Sequence, residues 1–68
     1  MQIIKIDKGF VEVKLTTEEA VLVHNALNEV CHGFDLGDED EFRTRLGVSM
    51  EFAEAMLKAT GVLVDAIQ

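Results

Sequence analysis

The sequence has a single cysteine, Cys31, and therefore cannot form a disulfide within one chain. A lone thiol is typical of a reducing compartment rather than of a secreted protein. The sequence also has no apolar run approaching the roughly 20 residues that cross a bilayer. Its first ten residues, MQIIKIDKGF, are charged where a signal peptide needs an apolar core. We therefore expect a cytoplasmic protein that does not associate with membranes.

Positive charge is scarce, with 6 Lys and Arg residues against 13 Asp and Glu residues, a formal net charge of −7. Nucleic-acid binding depends on basic side chains that displace counterions from phosphates, so we expect no nucleic-acid partner. Negative charge also disfavours anionic membrane surfaces. It favours encounters with basic proteins, and we predict a basic protein partner. Solubility alone is the alternative explanation of the acidic composition.

A length of 68 residues allows one domain, near the lower limit for independent folding. Chains of this size often need disulfides, a metal or a second subunit. Because disulfides are excluded, a homo-oligomer is the expectation that the length favours.

Residues 3–15 alternate between apolar and polar side chains in the manner of a β-hairpin. The turn is either the two residues Lys8 and Gly9 or a four-residue turn over 7–10. Both turns predict the same cross-strand pairs, which are Ile6 with Val11, Lys5 with Glu12, and Ile4 with Val13. Two strands alone are marginally stable, so we expect a helical layer against the apolar face of this ribbon.

A first helix is predicted over residues 17–32, with Thr16 and Glu19 forming a capping box and Gly33 ending the helix. The side chains at amphipathic spacing predict its inward face. These side chains are Ala20, Val23, Ala26, Leu27, Val30 and Cys31. The polar residues at steps of four predict the outward side, which carries His24, Asn28 and His32.

Two more helices are predicted, over residues 39–46 and 50–67. Asp38 and Ser49 are the N-caps, and Gly47 ends the shorter helix, which Phe42 and Leu46 would anchor to the core. An alternative for the last helix is that it stops at residues 60–61, so that residues 62–67 form a third strand. The predicted fold is α+β in a single domain of residues 1–68: an N-terminal hairpin, then a long, a short and a long helix.

Five carboxylates fall within the stretch DLGDEDEF, and we call them the acidic segment: Asp35, Asp38, Glu39, Asp40 and Glu41. A helix start explains the acids at 39–41, because the helix dipole stabilises negative charge in the first turn. It leaves Asp35 and the density of charge without a structural role. We therefore hypothesise that the acidic segment binds the basic partner.

Metal and catalytic sites find little support in the residue pattern. Counting from Asp35, a calcium loop would need a glycine at its sixth position, where Asp40 stands. His24 and Cys31 are seven residues apart on one helix, about 10 Å along its axis, too far to share one ion. No arrangement of nucleophile and base stands out, so we predict no cofactor, no metal and no enzymatic activity.

Residues 42–56, read as FRTRLGVSMEFAEAM, resemble the helix-turn-helix pattern of bacterial regulators. In that family a short helix ends in Leu-Gly-Val-Ser and a second helix begins at the serine, as at residues 46–49 here. The resemblance implies a helix-turn-helix-like arrangement of the second and third helices. Base contacts call for Arg, Lys, Asn or Gln. The helix that would contact the bases, which begins at residue 50, offers mainly apolar and acidic residues instead. We therefore predict no DNA binding.

The last helix has more apolar residues than one buried stripe requires, because a surface helix needs an apolar arc of about 100°. The excess predicts self-association through seven residues, which we call the α3 outer face. These residues are Phe52, Ala55, Met56, Ala59, Val62, Leu63 and Ala66. The alternative is that this helix is the central helix of a small core.

These features together predict a small acidic protein-binding module, most concretely an immunity or antitoxin-type inhibitor of a basic protein. Acidic charge would steer such an inhibitor onto a cationic surface. Two alternatives remain. One is a helix-turn-helix-like oligomerisation domain of a regulator that makes no DNA contacts, and the other is a DNA mimic.

Overall fold

The computed structural model describes residues 1–33 and 35–68, which contain two strands and three α-helices in an α+β layout. The strands are β1 (Gln2–Ile6) and β2 (Val11–Lys14). The helices are α1 (Thr17–Asn28), α2 (Glu39–Leu46) and α3 (Met50–Ile67), and a π-helical turn over Glu29–Gly33 follows α1. The predicted fold class is therefore confirmed. None of these helices is long and apolar enough to cross a membrane within the described residues.

The capping box at the start of α1 forms as predicted. The Thr16 hydroxyl accepts a hydrogen bond from the Glu19 N–H (3.2 Å), and the Glu19 carboxylate accepts one from the Thr16 N–H (2.9 Å). The amino group of Met1 also pairs with this carboxylate. The hydrogen bond from Met1, followed by that from the Thr16 backbone, lowers the pKa of Glu19 from 4.5 to about 2. Glu19 thus links the first residue of the hairpin to the first turn of α1.

The predicted extent of the first helix, 17–32 with Gly33 at its end, agrees with the structure, but the last turn is not α-helical. Its last turn, Glu29–Gly33, is π-helical, with hydrogen bonds spanning one residue more than in an α-helix. This turn contacts α3, and Val30 and Cys31 are half-buried there. Burial raises the pKa of the Cys31 thiol, and the charge of Glu54 raises it further. The thiol is therefore held in its unreactive, protonated form.

The interface between α1 and α3 shows that the predicted inward and outward faces of α1 are partly wrong. His24, assigned to the outward side, lies in the interface, whereas Val23 and Ala26 are exposed. The Thr60 hydroxyl donates its proton to the Leu57 carbonyl (3.0 Å), so its oxygen accepts the N–H of His24 Nδ1 at 2.9 Å. The imidazole belongs inside because α3 supplies a hydroxyl partner for it there.

The small residues at positions 60–61 allow this close contact instead of ending the helix. α3 continues without a break to Ile67, so residues 62–67 are helical and the third-strand alternative is wrong. A Cβ atom added to Gly61 would lie 3.4 Å from His24 Cε1, and the glycine therefore leaves room for the imidazole. The inward face of α3 carries Ala53, Thr60 and Val64, which are all buried.

The short helix α2 is held by one aromatic side chain. Phe42 is 1% exposed, whereas Leu46, the second predicted anchor, is 37% exposed and does not serve as one. Gly47 ends α2 in the left-handed conformation (φ 79°), which a residue with a side chain adopts only under strain. The Ser49 side chain caps α3 two residues later by accepting the N–H of Phe52 (3.0 Å).

The hairpin has a β-bulge that the predicted register lacks. The pairs Ile6 with Val11 and Lys5 with Glu12 are confirmed, but Val13 pairs with Ile3 rather than with Ile4. The register shift between Ile3 and Lys5 makes Ile4 an extra residue on its strand. Because of this extra residue, Ile3 rather than Ile4 joins the apolar face.

The prediction that a helical layer covers the hairpin is wrong. Among the described residues, no Cα atom of either strand comes within 8 Å of a Cα atom in a helix. Every residue of β1 and β2 is exposed, with Ile6 at 73%. Thr16, between β2 and α1, has an extended backbone (φ −70°, ψ 165°). The radius of gyration is 13.2 Å, against about 11 Å for a compact domain of this length.

Candidate functional site

The acidic segment has more local structure than the sequence suggested. The Asp35 carboxylate accepts the Gly37 N–H (3.0 Å), and Asp38 caps α2 by accepting the Glu41 N–H (2.9 Å). Glu39 reaches the Met50 N–H (3.3 Å) and thereby joins the starts of α2 and α3. The expectation that Asp35 lacks a structural role is therefore wrong, because its carboxylate closes a turn before the cap.

All five carboxylates of the acidic segment are nevertheless exposed. In the described part of the chain, no Lys or Arg side chain forms an ion pair with any of them. Arg43 and Arg45 lie on the same helix, and neither comes within 4.0 Å of a carboxylate of the acidic segment. The segment thus presents concentrated negative charge to solvent while its carboxylates also organise the turn and the cap.

The α3 outer face is uncovered. All seven of its residues are exposed, including Phe52 at 54%, Met56 at 42% and Leu63 at 55%. Five of them follow one another at alternating steps of four and three, the spacing of residues that pack against a neighbouring element: Phe52, Met56, Ala59, Leu63 and Ala66. α3 therefore has two apolar faces, one packed on α1 and one open to solvent.

The hairpin carries a second uncovered apolar surface, which we call the hairpin apolar face. Five exposed side chains line one side of the ribbon and define this face: Met1, Ile3, Ile6, Val11 and Val13. The alternating sequence pattern identified most of these residues but assigned them to the protein interior. The sequence pattern carries no sign of this exposure, because the same alternation is typical of a strand face that packs on a helix.

An open groove of about 260 Å³ joins the two surfaces. Its lining includes Val13 from the hairpin, Leu15 from the two-residue link, and Leu63 and Ile67 from α3. Val13 belongs to the hairpin apolar face, and Leu63 belongs to the α3 outer face. The two faces therefore meet at the groove and form one concave apolar surface.

Within residues 1–33 and 35–68, no group of three or more His, Cys, Asp or Glu side chains is arranged to hold a metal ion. Comparison with known proteins finds no matching family model, no matching curated protein and no matching solved structure. The acidic segment and the concave apolar surface are therefore the features from which the function of this chain is inferred.

Proposed function

We propose that this chain is a small acidic protein-binding module that self-associates and binds a basic partner. The most concrete form of this function is an immunity or antitoxin-type inhibitor that covers a cationic surface of another protein. Self-association uses the concave apolar surface, and partner binding uses the acidic segment.

The observation that carries the proposal is the amount of exposed surface. The chain exposes 5417 Å², whereas a folded monomer of its mass exposes about 4,250 Å². The excess of about 1,200 Å² is more than each partner contributes to a standard protein interface, about 800 Å². Much of the exposed area is contributed by large apolar side chains of the hairpin and α3.

The acidic segment supports a basic partner for an electrostatic reason. Its five carboxylates are exposed on the turn before α2 and on the first turn of that helix, and no Lys or Arg of the described residues forms an ion pair with them. Charges held in this way speed the encounter with an oppositely charged surface. Their contribution is screened by salt, over about 8 Å at physiological ionic strength.

A pull-down from the native lysate tests partner binding. Glu39→Gln, Asp40→Asn and Glu41→Gln together remove three of the five negative charges of the segment, while Asp35 and Asp38 keep their turn and cap. The wild type should retain a basic protein, and the triple variant should retain much less of it, with a difference that shrinks as salt rises.

A matched control separates the acidic segment from total charge. Glu12→Gln, Glu18→Gln and Glu29→Gln remove the same number of exposed charges elsewhere and should leave binding of the basic protein unchanged. Equal retention by both triple variants would contradict a role for the acidic segment. It would leave self-association untouched.

A second candidate is a helix-turn-helix-like oligomerisation domain that makes no DNA contacts. The left-handed Gly47 between α2 and α3, followed by the Ser49 cap, matches the turn that the sequence resemblance implies. Fluorescence anisotropy with duplex DNA at low salt should stay flat in either case. Sequence-dependent binding that persists at physiological salt would contradict both candidates and favour a DNA-binding regulator.

A further inference from the structure

We propose that two copies of this chain dimerise by exchanging hairpins, so that the hairpin apolar face of each copy covers the α3 outer face of the other. The inference rests on the self-association of the proposed function and adds which surfaces meet. The occupant of the concave apolar surface is therefore a second copy of the same chain.

The exposed area matches this occupant. Burying the excess of about 1,200 Å² on each copy gives a total of about 2,400 Å², which is in the range of permanent homodimers. Both faces are needed to reach this area, because each alone consists of only five to seven side chains. An interface that uses only α3 leaves the hairpin uncovered.

The hairpin apolar face and the α3 outer face are also similar in length and lie toward the same side of the molecule. The five residues of β1 extend about 17 Å, and the helix from Phe52 to Ile67 extends about 22 Å. Val13 and Leu63 line the same groove, so both faces look toward one side of the molecule. A two-fold axis on that side places each hairpin on the other copy's α3, a closed and self-complementary contact.

Charge distinguishes this arrangement from the two other symmetric ones. Residues 1–15 hold three of the six bases and two of the thirteen acids, so the hairpin segment is +1 and residues 16–68 are −8. α3 itself holds three acids and one base, a net charge of −2, so pairing two α3 outer faces brings two negative helices together, and pairing two hairpins brings two positive segments together. Only the hairpin against α3 places segments of opposite net charge next to each other.

Cross-linking of single-cysteine variants tests which surfaces meet. In a Cys31→Ala background, one chain carries Ile6→Cys on the hairpin apolar face and the other carries Met56→Cys on the α3 outer face. Both native side chains are exposed, so neither substitution opens the core. After subunit exchange, a short bismaleimide should give several-fold more covalent dimer in the mixture than in either variant alone.

A matched control places the second cysteine elsewhere on α3. Lys58→Cys lies on the opposite, polar side of the same helix and should give only the background level of cross-linking with Ile6→Cys. Preferential cross-linking of Ile6→Cys with itself, or of Met56→Cys with itself, would overturn the exchange while preserving self-association. Equal yields for Met56→Cys and Lys58→Cys would also overturn it.

Analytical ultracentrifugation separates this failure from that of the proposed function. The wild type at micromolar concentration should have a mass near twice 7.5 kDa. A monomer throughout that range would overturn both the hairpin exchange and self-association. Binding of a basic protein by the acidic segment is measured independently and would stand or fall on its own.

Discussion

The helical region and the hairpin of this short chain differ in how much of their apolar surface they bury. α1 and α3 share a part-buried hydrogen bond between His24 and Thr60, and Phe42 of α2 is 1% exposed. The hairpin buries none of its strand residues, although its side chains are as apolar as those of the helices. The helices are stabilised by contacts with one another, whereas no described helix packs on the hairpin, and a two-stranded ribbon is only marginally stable by itself.

The largest expected effect is in the helical region, at the side chain that holds α2. Phe42→Ala should cost about 3–5 kcal/mol in free energy of unfolding, because it removes a fully buried ring from a very small core. Urea denaturation followed by circular dichroism measures the loss. Phe52→Ala is the control, since this ring is 54% exposed, and in dilute solution it should cost less than 1 kcal/mol, about the range of surface changes. Equal losses would contradict the assigned core.

The contact between α1 and α3 gives the next effect. Gly61→Leu should cost about 1–3 kcal/mol, because the added side chain collides with the His24 imidazole. Gly61→Ala is the matched variant. Its Cβ meets His24 at an ordinary contact distance, so the higher helix propensity of alanine should stabilise the chain by up to about 1 kcal/mol. In thermal unfolding, we expect the melting temperature to fall for Gly61→Leu and to rise for Gly61→Ala.

The junction between the two regions should give a smaller effect. Thr16→Ala removes the cap of α1 and should cost about 1 kcal/mol. Thr17→Ala changes the neighbouring exposed threonine, whose side chain does not cap the helix, and should cost less. Chemical denaturation of both variants compares them directly, and equal costs would show that the capping box does not stabilise the helix.

The smallest expected effect on the stability of the helices comes from a substitution in the hairpin. Val11, which is 61% exposed, can be changed to Ser with a change of no more than about 0.5 kcal/mol in the unfolding of the dilute chain. Helical circular dichroism at 222 nm gives the measurement. Val64→Ser on the buried side of α3 is the control and should destabilise the helices clearly. A loss at Val11 equal to that at Val64 would mean that the hairpin packs on the helices after all.

Local signals explain why the helix bounds were predictable from the sequence. Asp38, Gly47 and Ser49 act within one turn of themselves, as N-caps and as a left-handed stop, so their effect does not depend on distant residues. The fold class and the bounds 39–46 and 50–67 follow from such signals. All seven residues of the α3 outer face were likewise identified from their spacing, and the structure leaves them exposed.

Long-range contacts explain what the sequence did not predict. His24 looks like a surface residue until Thr60 is seen to supply its hydrogen-bond partner from a helix 36 positions away. The choice between Ile3 and Ile4 as the partner of Val13 depends on a bulge, because strict alternation with Ile6 selects Ile4 and the extra residue moves the pairing to Ile3. The hairpin apolar face was recognised as apolar, but its position depends on whether any helix is free to cover it.

The bulge at Ile4 has a consequence for how large an assembly this chain can form. A two-stranded ribbon has two unpaired edges, and a flat, apolar edge is a template for endless strand addition and fibre growth. Here β1 is only five residues long and is interrupted by the bulge, and Lys5, Lys8 and Lys14 place positive charge along the ribbon. Short, irregular and charged edges oppose open-ended stacking. The hairpin-exchanged dimer that we propose would therefore remain a closed pair of subunits instead of growing into amyloid, although its hairpins are strongly apolar.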